Sequence, residues 1–147
     1  MRDLPALLRA HGDPKVAIDP VAVGRIVEEI FPEALGVWIY GSFAHGRARR
    51  DSDLDIAILP DRPLDSWERI ERAQNVASRV GREVDLVDLR KVSPVLRFEV
   101  VTRGMRVAAR DPYAADVMET ASLAMFQRLN EGQREHLARI KARALAP

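Results

Sequence analysis

The sequence contains no cysteine. That excludes disulfides and thiolate metal sites, and it fits a cytoplasmic chain. It also lacks an excess of either charge: 23 Lys and Arg against 22 Asp and Glu leave +1, which gives no general reason to expect nucleic-acid binding. No apolar run approaches the length of a membrane span. The opening residues, Met1 to Pro5, have neither a long apolar stretch nor a small-residue cleavage site, so no signal peptide is expected. Internal repeats and low-complexity segments are missing as well. What is left is an ordinary globular composition over 147 residues, the length of one domain (1–147) with room for a core.

Against this plain background one segment stands out. Residues 41 to 59 read GSFAHGRARRDSDLDIAIL. Before it, Gly36 to Tyr40 is an apolar run with the character of a buried strand. Gly41-Ser42 then breaks the strand and opens a short helical turn. Turns of this kind present free backbone N–H groups, which bind phosphate oxygens. Gly41 permits the bend and a close approach to a ligand. Ser42 can cap the turn and add a hydroxyl. A second strand follows from Leu54 to Leu59. Side chains alternate along a strand, so Asp53 and Asp55 share one face, while Leu54 and Ile56 point into a core. Carboxylates about 7 Å apart on one strand face repel unless a cation lies between them. Magnesium, a hard ion, takes such oxygen ligands.

The remaining pattern alternates helix and strand. A short helix is expected over residues 4–10. Asp19-Pro20 begins another, with Val23, Ile26, Val27 and Ile30 at helical spacing and a stop at Phe31-Pro32. Leu64 to Val80 predicts an amphipathic helix whose stripe is Trp67, Ile70, Ala73, Val76, Ala77 and Val80, with Gly81 as its C-terminal cap. A third strand crosses Val84 to Leu89. Ser93-Pro94 opens a helix through Val101, Gly104 stops it, and Met105 to Ala108 reads as a fourth strand. Asp111-Pro112 starts a long helix carrying Met118, Ala121, Met125 and Leu129, with a break or bend expected at Asn130-Glu131-Gly132. The sum is a small α+β sheet with helices mainly on one face and the carboxylates on the open one.

The Gly-Ser turn, its spacing to Asp53-Leu54-Asp55, and the run Val84-Asp85-Leu86-Val87-Asp88-Leu89 together resemble the nucleotidyltransferase superfamily that includes DNA polymerase beta. Closest is the minimal nucleotidyltransferase group, usually encoded beside HEPN proteins as an antitoxin. The resemblance covers about residues 20–112, with a helical extension over 112–147. It implies the minimal nucleotidyltransferase fold: a small mixed β-sheet, helices packed mainly on one face, and a C-terminal helix. It further implies a triad, Asp53, Asp55 and Asp85, that is catalytic and binds two Mg2+ ions. Val84 and Leu86 have core parity, leaving Asp85 on the open face; Asp88 has core parity and reads as a capping or turn residue. Gly41 and Ser42 would bind the nucleotide, joined by charge from Arg47, Arg50 and their neighbour Arg49. His45 departs from the group, where a basic residue is common at that position.

The reaction implied is transfer of AMP from ATP to a tyrosine hydroxyl of a partner HEPN ribonuclease toxin. The partners are therefore a nucleoside triphosphate and a toxin, in a hetero-oligomer without membrane. Met118, Met125 and Phe126 read as intramolecular core or as a docking surface. Two alternatives remain: an antitoxin acting by occlusion alone, and a subunit that modifies a small molecule.

Overall fold

The computed structural model describes residues 17–145. The helix expected at 4–10 lies outside them.

Helix α1, Pro20–Ile30, begins where Asp19 accepts hydrogen bonds from the Val21 and Ala22 amides, with proline in the first turn. It buries Val23 and Val27. Strand β1, Ala34–Tyr40, pairs antiparallel with β2, Leu54–Pro60, and on its other side with β4, Met105–Ala108. Between β2 and its parallel neighbour β3, Val84–Asp88, runs α2, Ser66–Val80. Helix α3, Pro94–Arg103, precedes β4, and α4, Pro112–Leu145, ends the described chain. The sheet order is β3-β2-β1-β4. This is the mixed α+β sheet that the sequence predicts.

The helices divide between the two faces. On one, Val23 and Val27 from α1, its C-terminal cap Phe31, and Ala73 and Val76 from α2 pack on Val37, Ile39, Leu54, Ile56, Ile58 and Leu86. On the other, Val100 of α3 and Ala115 of α4 pack on Trp38, Tyr40, Ala57 and Leu59. Each large side chain buried this way stabilises the fold by roughly 1.5–3 kcal/mol. The second face is thus covered over β1, which the expectation of helices mainly on one face did not include. The covering is partial: Asp85 stays exposed and Val87 half-exposed on β3.

The first turns of α4 are tied down by one polar knot. Glu119 accepts from the Trp38 indole N–H at 3.1 Å and pairs with Arg106 at 2.9 Å, while Arg106 also bridges Asp116 at 2.7 Å. Phe126 stacks on Phe98 of α3, with ring centroids 3.8 Å apart. Met118 packs against the second core. Three local expectations are corrected. Helix α4 passes through Asn130–Gly132 unbroken; one internal glycine costs only about 1 kcal/mol against the helix on both sides. Helix α2 starts at Ser66 with Asp65 as its cap, and Trp67 and Ile70 are exposed at 73% and 46%. The α2 stripe that packs is therefore Ala73 and Val76, with Val80 at its side.

Candidate active site

The carboxylates lie where β1 ends and β2 and β3 begin. Tyr40 is the register partner of Asp55, and Asp55 is the partner of Asp85. Three side chains therefore stand in a row across β1, β2 and β3, on the face of Ala57 and Trp38. Asp53 sits one residue ahead of β2. Asp53 and Asp85 are exposed, and Asp55, between them, is half-buried. Neighbouring strands are about 4.8 Å apart, so Asp55 and Asp85 repel strongly when both are ionised.

Burial and this repulsion act on Asp55 in the same direction. Burial first, then the charges of Asp85, Asp53 and Glu99, push the Asp55 carboxyl up to about 6. The same environment raises Tyr40 well above the usual phenol range: burial leads, followed by Asp55, Asp85 and Glu99. Asp55 thus binds its proton more tightly in the folded chain than in the unfolded one, where about 4 is normal. Its stabilising protonation is complete below pH 4 and is lost as pH rises through about 6. Above that, ionised Asp55 weakens the metal-free fold. Asp55→Asn should accordingly raise the unfolding free energy from urea titration at pH 8 in the presence of EDTA, by on the order of 1–2 kcal/mol after solvent screening. At pH 4 the gain should vanish. An equal gain at both values would place its origin elsewhere than in charge.

Three carboxylates in mutual repulsion are a donor set suited to a hard divalent cation. Among the described residues no three such groups already form a metal cage, so closing one requires exposed Asp53 and Asp85 to turn toward Asp55.

The turn after β1 abuts this row directly. Gly41 has φ +71°, a left-handed conformation, and a Cβ built on it would collide with Asp55 Oδ2. Only glycine lets the backbone pass this close to the carboxylate. Residues 41–46 form successive turns rather than a full helix. The His45 amide donates to the Gly41 carbonyl (3.2 Å), the Gly46 amide to Phe43 (3.3 Å) and the Arg47 amide to Ser42 (2.8 Å). None of these bonds uses the amides of Ser42, Phe43 or Ala44. Buried Phe43 and Ala48 pin the turn from beneath, while His45, Arg47, Arg49 and Arg50 are exposed.

Asp88 behaves as a turn residue. It is buried, and its Oδ1 accepts from the Arg90 amide at 2.8 Å. Three residues near the site carry no local sequence signal. Tyr40 falls in the apolar strand run, and its place just before Gly41 puts it beside the carboxylates. Glu99, half-buried on α3, adds its charge to Asp55 and Tyr40, and nothing local signals this. Arg82 reaches the loop before Asp53 from the end of α2.

Comparison with known proteins gives consistent results. The sequence model of the family described as "Polymerase beta, Nucleotidyltransferase" matches residues 26–113. The chain is 40% identical over 83 residues to protein adenylyltransferase MntA of Shewanella oneidensis, covering 56% of this chain and 60% of the relative. It is 37% identical over 68 residues to the Haemophilus influenzae protein described as a probable protein adenylyltransferase MntA, covering 45% and 58%. The chain thus spans about three fifths of the length of these curated relatives. Among solved structures, a toxin-antitoxin with AMP-PNP superposes at TM-score 0.72 and 29% identity, over 84% of this chain and 99% of the other. A tri-AMPylated Shewanella oneidensis HEPN toxin in complex with MNT antitoxin gives TM-score 0.65 and 27% identity, over 83% and 95%. No helix among the described residues is long and apolar enough to cross a membrane.

Proposed function

From the premise that the chain belongs to the polymerase beta nucleotidyltransferase family, we propose that it transfers AMP from ATP to a tyrosine hydroxyl of a HEPN-type toxin and so acts as an antitoxin. The observation that carries this reading is the packing of the Gly41 turn against Asp55, itself paired with Asp85. A phosphate-binding bend and a carboxylate row meet there with no side chain between them. Phosphoryl transfer needs that combination, because it depends on positioning and charge neutralisation more than on covalent catalysis.

The roles follow from position. Asp53 and Asp55 would hold the nucleotide-bound magnesium, and Asp85 would complete a second site. Bound divalent ions supply charge stabilisation to the attacking and leaving oxygens. The Ser42, Phe43 and Ala44 amides, with the Ser42 hydroxyl, receive the phosphates, and Arg47 and Arg50 add positive charge. Asp85 accepts the proton of the attacking hydroxyl. The tyrosine oxygen bonds to the α-phosphorus, the α–β bridge breaks, and pyrophosphate leaves.

One observation supports a protein as acceptor. The site is shallow at exposed Asp53 and Asp85, as suits a hydroxyl delivered by another folded chain. The relatives named adenylyltransferases and the AMPylated toxin complex agree in kind. The distal half of α4, with Leu129, Leu137 and Ile140 exposed, is the docking surface consistent with such a partner. That surface also suits neutralisation by occlusion alone.

Co-expression with the HEPN partner, followed by intact mass of that partner, separates the two. Transfer predicts a mass gain of one or more AMP units, lost with Asp53→Asn together with neutralisation. Neutralisation that survives Asp53→Asn without any mass gain favours occlusion.

A further inference from the structure

We propose that Arg82 is a positioning residue of this site, locking residues 49–52 so that Asp53 and the basic run are held beside the phosphate turn; the proposal rests on the nucleotidyltransferase reading above. Asp53 precedes β2, so no strand pairing holds it directly, and its placement depends on the loop before it. Arg82 emerges from the left-handed cap Gly81 at the end of α2, with its own amide donating to the Ala77 carbonyl at 3.2 Å. Its Nη1 then donates to the carbonyls of Arg50 and Ser52, both at 2.9 Å, and lies 3.5 Å from that of Arg49. The same guanidinium sits 4.9 Å from the ring centroid of Phe43, the buried anchor of the phosphate turn.

One cation therefore touches both halves of the site: the loop leading to the carboxylates and the turn after β1. Immediately beyond it, the Leu54 amide donates to the Glu83 carbonyl at 2.9 Å and strand pairing begins. Carbonyls converging on a positive charge make strong, directional bonds. The loop also closes a short turn of its own, in which the Ser52 amide donates to the Arg49 carbonyl at 3.1 Å and the Arg49 amide to Ser52 Oγ at 2.7 Å. Groups that orient a metal-binding carboxylate set its affinity although they do not touch the ion.

The test uses the full chain as Arg82→Ala and Arg82→Lys, with two readouts. Hydrogen exchange of the 49–53 amides should quicken in Arg82→Ala and recover in part in Arg82→Lys. The magnesium concentration giving half-maximal AMP transfer should rise about tenfold or more in Arg82→Ala. Unchanged exchange overturns the clamp, and faster exchange with an unchanged magnesium requirement overturns its positioning role. Should Arg82→Ala fail to fold, the same comparison is made with Arg82→Lys. Absence of any transfer by the unmodified chain would refute the parent reading, while exchange would still decide whether Arg82 holds the loop.

Discussion

Asp55→Asn is expected to lower AMP transfer by at least about a thousandfold, equivalent to about 4 kcal/mol of transition-state stabilisation. Asp55 is the middle member of the row, flanked by Tyr40 and Asp85 and backed by Gly41. Among the described residues no other carboxylate is paired in register with both Tyr40 and Asp85. The substitution keeps size and removes charge. Because the native carboxylate is destabilised by burial and by Asp85, Asp53 and Glu99, the fold should survive and even gain at neutral pH. Loss of activity together with equal or better stability is the signature of a residue kept for chemistry rather than for packing. Transfer within tenfold of the unmodified chain would remove Asp55 from the mechanism.

Gly41→Ala is the second large effect, and Gly81 supplies its control. Both glycines are left-handed, at φ +71° and +77°. A side chain in that conformation costs roughly 1–2 kcal/mol. At Gly81 an added Cβ meets nothing, whereas at Gly41 it runs into the Asp55 carboxylate. Gly81→Ala should therefore lose about 1–2 kcal/mol of stability and keep its activity. Gly41→Ala should lose at least as much stability and, with Asp55 displaced, about a hundredfold or more in transfer. Paired thermal melts and labelling from radioactive ATP distinguish the two. Equal transfer in both variants would mean that the contact between turn and carboxylate has no catalytic weight.

The parts of this site that could be read from sequence are those fixed by local geometry. Gly41-Ser42 and Asp53-Leu54-Asp55 stand out as candidates through their resemblance to the family pattern. Asp85 follows from strand parity, since Leu86 beside it is buried and Asp85 is not. What could not be read depends on long-range packing. Placement of α3 and α4 over β1 depends on Trp38, whose partners Val100, Ala115 and Glu119 lie far from it in the chain. It brings Glu99 near the carboxylates from a helix whose own pattern gives no hint. Trp67 misled for the complementary reason. Its helical spacing fits the α2 stripe, yet it lies in the first turn at 73% exposure, where spacing alone says nothing about what is opposite. Arg82 looked like any residue after a helix cap, because its partners are backbone carbonyls thirty residues away.

The most direct measurement is anomalous diffraction from crystals grown with Mn2+ and an ATP analogue that resists cleavage at the α-phosphate. Manganese is expected against Asp53 and Asp55, with Asp85 turned toward it and the phosphates seated on the bend that begins at Gly41. Manganese bound away from these carboxylates, or a nucleotide seated away from Gly41 and Ser42, would contradict the proposed site.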